Sequence, residues 1–416
     1  MLLNKYFNSI TKKLIFKGVN TMKIEEKKYY KVTSTSGKVS RYDFVSYTFS
    51  SSGFRKIGKN HKYGFINQDG EVICKTKFDE ARNFHNGFAA VKKNNKWGFT
   101  NENGKIIGKI QFDEVWNFYN GFAKVAKNGK FGFINKDGKI VCRIQFDEVQ
   151  NFQNCFAAVK KNNKWGFTNE NGKIIGRIQF DEVYDFYNGF AKVKKNNQWG
   201  FINEDGKILG KIQFDEVLGF HHGFAIVKKN YRCGFINEEG KIVSRIQFDD
   251  VWDFYNGFAK VGKDGNLGFI NKYGKILGKI QFDAVGVFQN GFATVKKSNK
   301  YGFINEDGKI VSRIQFDEVL NFQNGFAAVY KSNKWGFINK KGKIIGKIQF
   351  DDVGVFQNGF AAVYKSNKWG FITEDGKIVG RIQFDKVWDF EYGLAKVIKD
   401  NKQGCIDKNG NVTWDE

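Results

Sequence analysis

The stretch Asn94-Asn95-Lys96-Trp97-Gly98, continued by Phe99-Thr100-Asn101, decides how this chain is built. Its glycine returns every 34 residues, at 64, 98, 132, 166, 200, 234, 268, 302, 336, 370 and 404, without slippage or substitution. A second glycine keeps the same beat, from Gly70 and Gly104 to Gly410. A fixed period of this length marks a tandem repeat, in which each unit buries its apolar face against its neighbours. Length alone, 416 residues, suggests two or three ordinary domains, and the period overrides that suggestion.

Outward from Trp97, one unit reads as short strands and tight turns. Phe88 to Lys93 is a strand with Ala89 and Val91 on one face. Asn94-Asn95 then turns the chain, and the same positions elsewhere carry Asn128-Gly129 and Asp264-Gly265. Asn-Gly and Asp-Gly favour type I′ hairpins, because both central residues need positive φ. Trp97 to Asn101 is the second strand, and Asn103-Gly104 turns again, as Asp69-Gly70, Asp137-Gly138 and Asp205-Gly206 do. Lys105 to Val115 reads as a third, longer strand interrupted near Gly108, and Trp116 to Gly121 as the corner into the next unit. No amphipathic helix appears. The expected fold is all-β, a tandem array of 34-residue three-stranded β-repeats forming an open solenoid or superhelix. A large β-propeller is the alternative; its blades need four strands and more residues, and eleven of them exceed the usual number.

Composition agrees with a continuous core: 41% of residues are hydrophobic and 17% aromatic, with 45 phenylalanines and no proline. Residues 22–58 read as a degenerate N-terminal capping repeat, 59–404 as the regular array and 405–416 as a C-terminal cap. Residues 1–21 read as a tail or a misassigned start ahead of Met22. Their apolar residues are too interrupted for a secretory leader, and no stretch is long enough to span a bilayer, so the expected location is the cytoplasm. Cys74, Cys142, Cys155, Cys233 and Cys405 each replace another residue of the repeat and follow no ligand spacing, so neither disulfides nor a metal site is expected.

These motifs resemble those of the WG (or KWG) repeat family. The match is carried by Gly189-Phe190-Ala191 with Val193, Trp199-Gly200-Phe201-Ile202, Asp205-Gly206-Lys207 and Phe214-Asp215, and it recurs from about residue 40 onward. Ile-Gln-Phe-Asp stands here where family members often carry a proline. The resemblance implies a bacterial-type β-repeat protein that serves in interactions, and it carries over no catalytic residue.

Adjacent carboxylates such as Asp113-Glu114 and Asp181-Glu182 could suggest acid–base chemistry. On a strand they point to opposite faces, and they recur in unit after unit, whereas an enzyme keeps one site. A structural role for the Asp is expected: binding a turn backbone, or pairing with the basic residue four positions earlier (Lys75, Lys109, Arg143, Arg177 and their equivalents). Trp97, Trp165, Trp199, Trp335 and Trp369 read as packing residues, because Cys233, Leu267 and Gln403 replace them freely. Their partners Gly98, Gly166, Gly200, Gly336 and Gly370 imply positive φ or a close backbone contact. No catalytic residue, cofactor or metal is expected.

The informative signal is variation. At the corner, aromatics fall in alternate units at Trp116, Tyr184, Trp252 and Trp388, accompanied by Tyr119, Tyr187 and Tyr255, though Leu320 breaks the beat. The same units carry Lys124, Lys192, Lys260 and Lys396 where their neighbours have Ala, Ile or Thr. Two-unit duplication leaves such alternation without selection; a binding corner would use it for stacking and charge. The expected function is a non-catalytic scaffold for protein–protein interaction. The alternative, suggested by a net charge of +25, is binding of a polyanion, nucleic acid or acidic glycan, through those corners.

Overall fold

The computed structural model of the chain describes residues 23–26, 29–46 and 53–415, so the reading of residues 1–21 lies outside it. These residues form strands and turns without a helix, in two compact units that divide between Ile212 and Gln213.

In the first unit, Glu114–Tyr119, Phe122–Lys127, Lys130–Asn135 and Ile140–Phe146 pair in chain order as one open antiparallel sheet. The central hairpin arises as expected: Asn94 and Asn95 adopt φ of 51° and 60°, and Asn128 and Gly129 follow with 53° and 69°. The long third strand is two strands. It ends at Phe112, and Glu114 opens the next sheet. Asp113 makes the division, because its own N–H donates to the Ala126 carbonyl at 2.8 Å while its carboxylate accepts the Asn128 N–H at 2.6 Å. The chain is thereby drawn onto the following hairpin. Gly108, with φ of 65°, is a bulge inside Ile106–Phe112 where the register against Trp97 and Phe99 shifts.

In the second unit the same sheet recurs with three or four strands. Asp250–Val251, Phe258–Lys263, Asn266–Asn271 and Ile276–Phe282 make a full set. The sheets of Glu216–His221, Phe224–Lys229 and Arg232–Asn237, and of Ala284–Val285, Phe292–Lys297 and Lys300–Asn305, stop at three. There the fourth strand is reduced to isolated bridges, Cys233 to Phe248 and Tyr301 to Phe316 among them. Ser244 and Ser312 occupy the position where Gly278, Gly346 and Gly380 take φ of 66°, 64° and 62°, a region costly for any residue with a Cβ. Cys142, at the same position in the first unit, keeps its strand through a second register shift.

Within each unit the open sheets stack in chain order, as in a solenoid, and among the described residues none closes into a barrel. The core lies in the seams between sheets. Phe152 is 1% exposed and sits 4.1 Å from the Phe122 ring and 4.8 Å from that of Phe133, both in the preceding sheet. Phe322 repeats this against Phe292 and Phe303. Ala157, Ala158 and Val159 are all buried although neighbours on a strand face opposite ways, so this sheet is covered on both sides. The glycine of the Trp-Gly pair meets a close contact: a Cβ on Gly98 would lie 2.9 Å from the Ile110 Cα, and its φ is not positive. The turn glycine does both, for a Cβ on Gly138 (φ 78°) would lie 2.3 Å from the Gly108 amide of the previous sheet. A polar tie crosses such seams where an asparagine precedes the corner glycine or its replacement: Asn120 donates to the Phe152 carbonyl at 3.0 Å, Asn154 to Phe186 at 2.7 Å and Asn290 to Phe322 at 2.7 Å.

At the N-terminal side, Lys23–Glu26, Tyr30–Thr33 and Val39–Tyr42 form a three-stranded sheet, tied onward by Thr35 N–H to the Asp69 carbonyl at 2.9 Å. The hairpin of Arg55–Lys59 and Lys62–Ile66 belongs to one sheet, so it straddles the boundary drawn at 58/59. Val412–Trp414 completes the last sheet as its fourth strand.

Candidate functional site: the aromatic–lysine corners

Each corner pair is assembled by strand pairing. The N–H of Tyr184 donates to the Lys192 carbonyl, Trp252 to Lys260 and Trp388 to Lys396, each at 3.0 Å, which places ring and lysine directly across two antiparallel strands. The side chains then meet. The Lys124 ammonium lies 4.2 Å from the Trp116 ring centroid, Lys192 lies 4.5 Å from Tyr184, and Lys260 lies 4.0 Å from Trp252, all within cation–π range. Trp388 and Lys396 are both exposed, joined by the backbone bond. Tyr184, Trp252 and Trp388 keep 48%, 41% and 49% of their surface in solvent, enough for a second face to meet a ligand. Tyr119, Tyr187 and Tyr255 are exposed at the following turn; no ring contact joins Tyr119 or Tyr255 to its corner pair among the described residues.

The intervening repeats build the same corner without this pair. Gln150, Gly286, Leu320 and Gly354 bond the same backbone carbonyl, now of Ala158, Thr294, Ala328 and Ala362. Arg82 is a variant, its guanidinium 4.6 Å from the Trp97 ring and hydrogen-bonded to the Val115 carbonyl at 2.8 Å.

Trp97 is buried in the cluster with Phe99, Phe112 and Phe118, while Trp165, Trp199, Trp335 and Trp369 are half-buried. Trp335 and Trp369 stand 5.0 and 4.8 Å from Tyr330 and Tyr364.

The recurring aspartates bind a turn backbone, one of the two roles expected of them, as Asp79 and Asp147 do with the Asn94 and Asn162 N–H groups at 2.7 Å, and they add a lysine other than the expected one. Asp79, Asp113, Asp147 and Asp181 pair with Lys62, Lys96, Lys130 and Lys164, 17 residues earlier, rather than with the cation four positions before them. The reason is placement: Asp113 lies past the strand end against the neighbouring hairpin, whereas Lys109 points off the edge strand into solvent. Lys96 first, then the Asn128 N–H, holds the Asp113 carboxyl below its ordinary value. Asp147, Asp181, Asp317, Asp351 and Asp385 repeat this. The neighbouring Glu takes its own lysine, as Glu80 does with Lys92 at 2.7 Å. A cation in fixed phase just before the Trp position was the available sequence signal for the Asp partner, and the asparagine before each corner glycine was the signal for the seam tie.

The basic row Lys75, Lys109, Arg143, Arg177, Lys211, Arg245, Lys279, Arg313, Lys347 and Arg381 is exposed and makes no ion pair among the described residues. On an edge strand such charges also deter strand addition. All five cysteines are free, and burial pushes the Cys142 thiol up to about 11. Among the described residues no three His, Cys, Asp or Glu side chains gather as a metal site requires, and no helix is long and apolar enough to cross a membrane.

Fold and corners together define an all-β tandem-repeat protein with a regular core and a varied corner. The model of the WG containing repeat matches ten consecutive segments, from 63–97 and 97–131 through to 369–402. The chain belongs to the WG repeat family. No curated protein is detectably similar in sequence. Among solved structures, the extracellular domain of the hybrid two component system BT3049 from B. thetaiotaomicron aligns over 95% of this chain and 69% of its own, at 8% identity and a TM-score of 0.29. A eukaryotic initiation factor aligns over 73% and 95%, at 13% identity and a TM-score of 0.25. PorZ, a surface component of the type-IX secretion system of Porphyromonas gingivalis, aligns over 92% and 72%, at 9% identity and a TM-score of 0.21. At these scores the cytoplasmic expectation neither gains nor loses from the surface proteins among them.

Proposed function

We propose that the chain is a non-catalytic scaffold that binds a protein partner through its corners. The observation that carries this reading is the split between seam and corner. The seam residues recur in register, while the exposed corner varies, with a ring–lysine pair in four repeats and Gln, Gly or Leu in others. Exposed aromatics beside a cation are the side chains that dominate binding energy at protein interfaces. The engagement of the recurring carboxylates in the scaffold supports the non-catalytic reading.

The test is affinity capture with the native chain and with a chain whose corners carry Trp116→Leu, Tyr184→Leu, Trp252→Leu and Trp388→Leu. A discrete partner held through physiological salt and lost from the swapped chain supports the scaffold. Equal capture by both overturns the corner as its surface.

A second reading, polyanion binding, is favoured by one observation: the exposed row of unpaired Lys and Arg on the edge strands. It predicts binding to a sulfated glycan or single-stranded nucleic acid that falls steeply with salt. No binding even at low salt removes it.

A further inference from the structure

The second unit contains a cavity that the repeat itself explains. In most repeats the Trp-Gly position holds a ring, and a lysine stands opposite it across the hairpin in four of them. Lys92 faces Trp97, Lys160 faces Trp165, Lys194 faces Trp199 and Lys296 faces Tyr301, with the ammonium 5.6, 5.3, 5.1 and 5.1 Å from the ring centroid. Lys228 stands in the same register opposite Cys233. The lysine is kept and the ring is gone. Where Leu267 replaces the ring, the lysine is lost too: Gly262 faces it, and a Cβ there would meet the Leu267 Cδ2 at 3.3 Å.

The space left at Cys233 is open. A half-open cavity of about 180 Å³ is lined by Val217, Leu218, Ile226, Lys228, Cys233 and Val251, with the carboxylates of Glu216 and Asp250 completing it. An apolar cavity of about 150 Å³ is enough to take up a benzene ring. Three features converge on a planar aromatic guest with a polar edge. The walls are aliphatic, Lys228 is placed for a ring face while paired with Glu216 at 3.4 Å, and the Asp250 carboxylate, with the remaining Glu216 oxygen, can accept an indole N–H or a phenol O–H.

We propose that this cavity binds one tryptophan or tyrosine side chain of a protein partner, which takes the place of the ring missing from the repeat. The proposal rests on the reading of the chain as a protein-interaction scaffold and gives it one specific anchor point.

Indole is the first probe, followed by equilibrium dialysis against the full chain. Native protein is expected to bind one saturable equivalent more than Cys233→Trp, whose ring is the residue of the sister repeats and fills the space. Cys233→Tyr should behave alike and guards against a fold defect in the larger substitution. Cys233→Ala should keep the site, and loss of binding there would assign it to the thiol and overturn the proposal. Indole should bind about five-fold more tightly than toluene, which offers no hydrogen bond. A short tryptophan-containing peptide should compete with indole, and the same peptide with alanine should not. Exclusion of the peptide while indole binds would overturn the protein source. Equal indole binding by native chain and both ring variants, or none by the native chain, would overturn the site. Failure here leaves the corner swap untouched, and that swap leaves this cavity's lining intact, so the two readings fail separately.

Discussion

Seam and corner are built on the same hairpin, yet they obey opposite rules. The seam at Phe152 holds Phe122, Phe133 and Asn120, and the seam at Phe322 holds Phe292, Phe303 and Asn290: the same residues in the same contacts, in different units. The corner one step away holds Trp252 with Lys260 in one repeat and Gly286 with Thr294 in the next, on the same backbone bond. A repeat protein buries its core only where one unit meets the next, so seam residues answer to both neighbours and the corner answers to solvent.

That contrast can be broken most forcefully at the seam ring. Phe322→Ala removes a 1%-exposed side chain held between two others and should cost about 4 kcal/mol in equilibrium urea unfolding. Gly138→Ala should cost about 2 kcal/mol, since its Cβ meets the Gly108 backbone and its φ is positive. Asn154→Ala loses the bond to Phe186 at a left-handed residue and should cost about 1.5 kcal/mol. The converse sharpens the point. His222 occupies that seam position with φ of 50°, so His222→Asn should restore the tie to the Phe254 carbonyl and gain about 1 kcal/mol.

Acid probes the clamp beside the seam. Asp79, Asp113 and Asp147 are held below 3.8 by their lysines and by turn N–H groups. A carboxyl with a folded value below its unfolded one stabilises above the unfolded value and loses that contribution as pH falls through the folded one. Urea midpoints should therefore be flat above about pH 5 and drop below about pH 4. Removing clamps, for example with Asp147→Ala, should shallow that drop. The corner comes last: Trp252→Leu with Lys260→Ala should cost under about 1 kcal/mol, the scale of an exposed cation–π contact.

Much of the scaffold was legible in the sequence, because local rules govern it. The hairpin turns at Asn94-Asn95 and Asn128-Gly129, the packing role of Trp97 and the alternating corner all follow from residue type and spacing. What was hidden depends on the neighbouring repeat. Alternation of apolar and polar residues runs unbroken from Lys109 through Asp113, so nothing in it announces that one sheet ends at Phe112. Lys96 reaches Asp113 across a seam, and a search for partners four residues away finds Lys109 instead. The space at Cys233 reads in sequence as mere drift, since an absent side chain gains meaning only beside Lys228 and Ile226.

The most direct measurement is equilibrium urea unfolding of a chain in which all four ring–lysine corners carry residues their neighbours tolerate. These are Trp116→Leu, Tyr184→Leu, Trp252→Leu and Trp388→Leu, with Lys124→Ala, Lys192→Ala, Lys260→Ala and Lys396→Ala. If the corners are surface and the seams are structure, the transition stays cooperative and loses no more than about 1 kcal/mol per corner, less than one seam phenylalanine. A collapsed or broadened transition would contradict the account, because the alternating rings would then be part of what holds the repeats together.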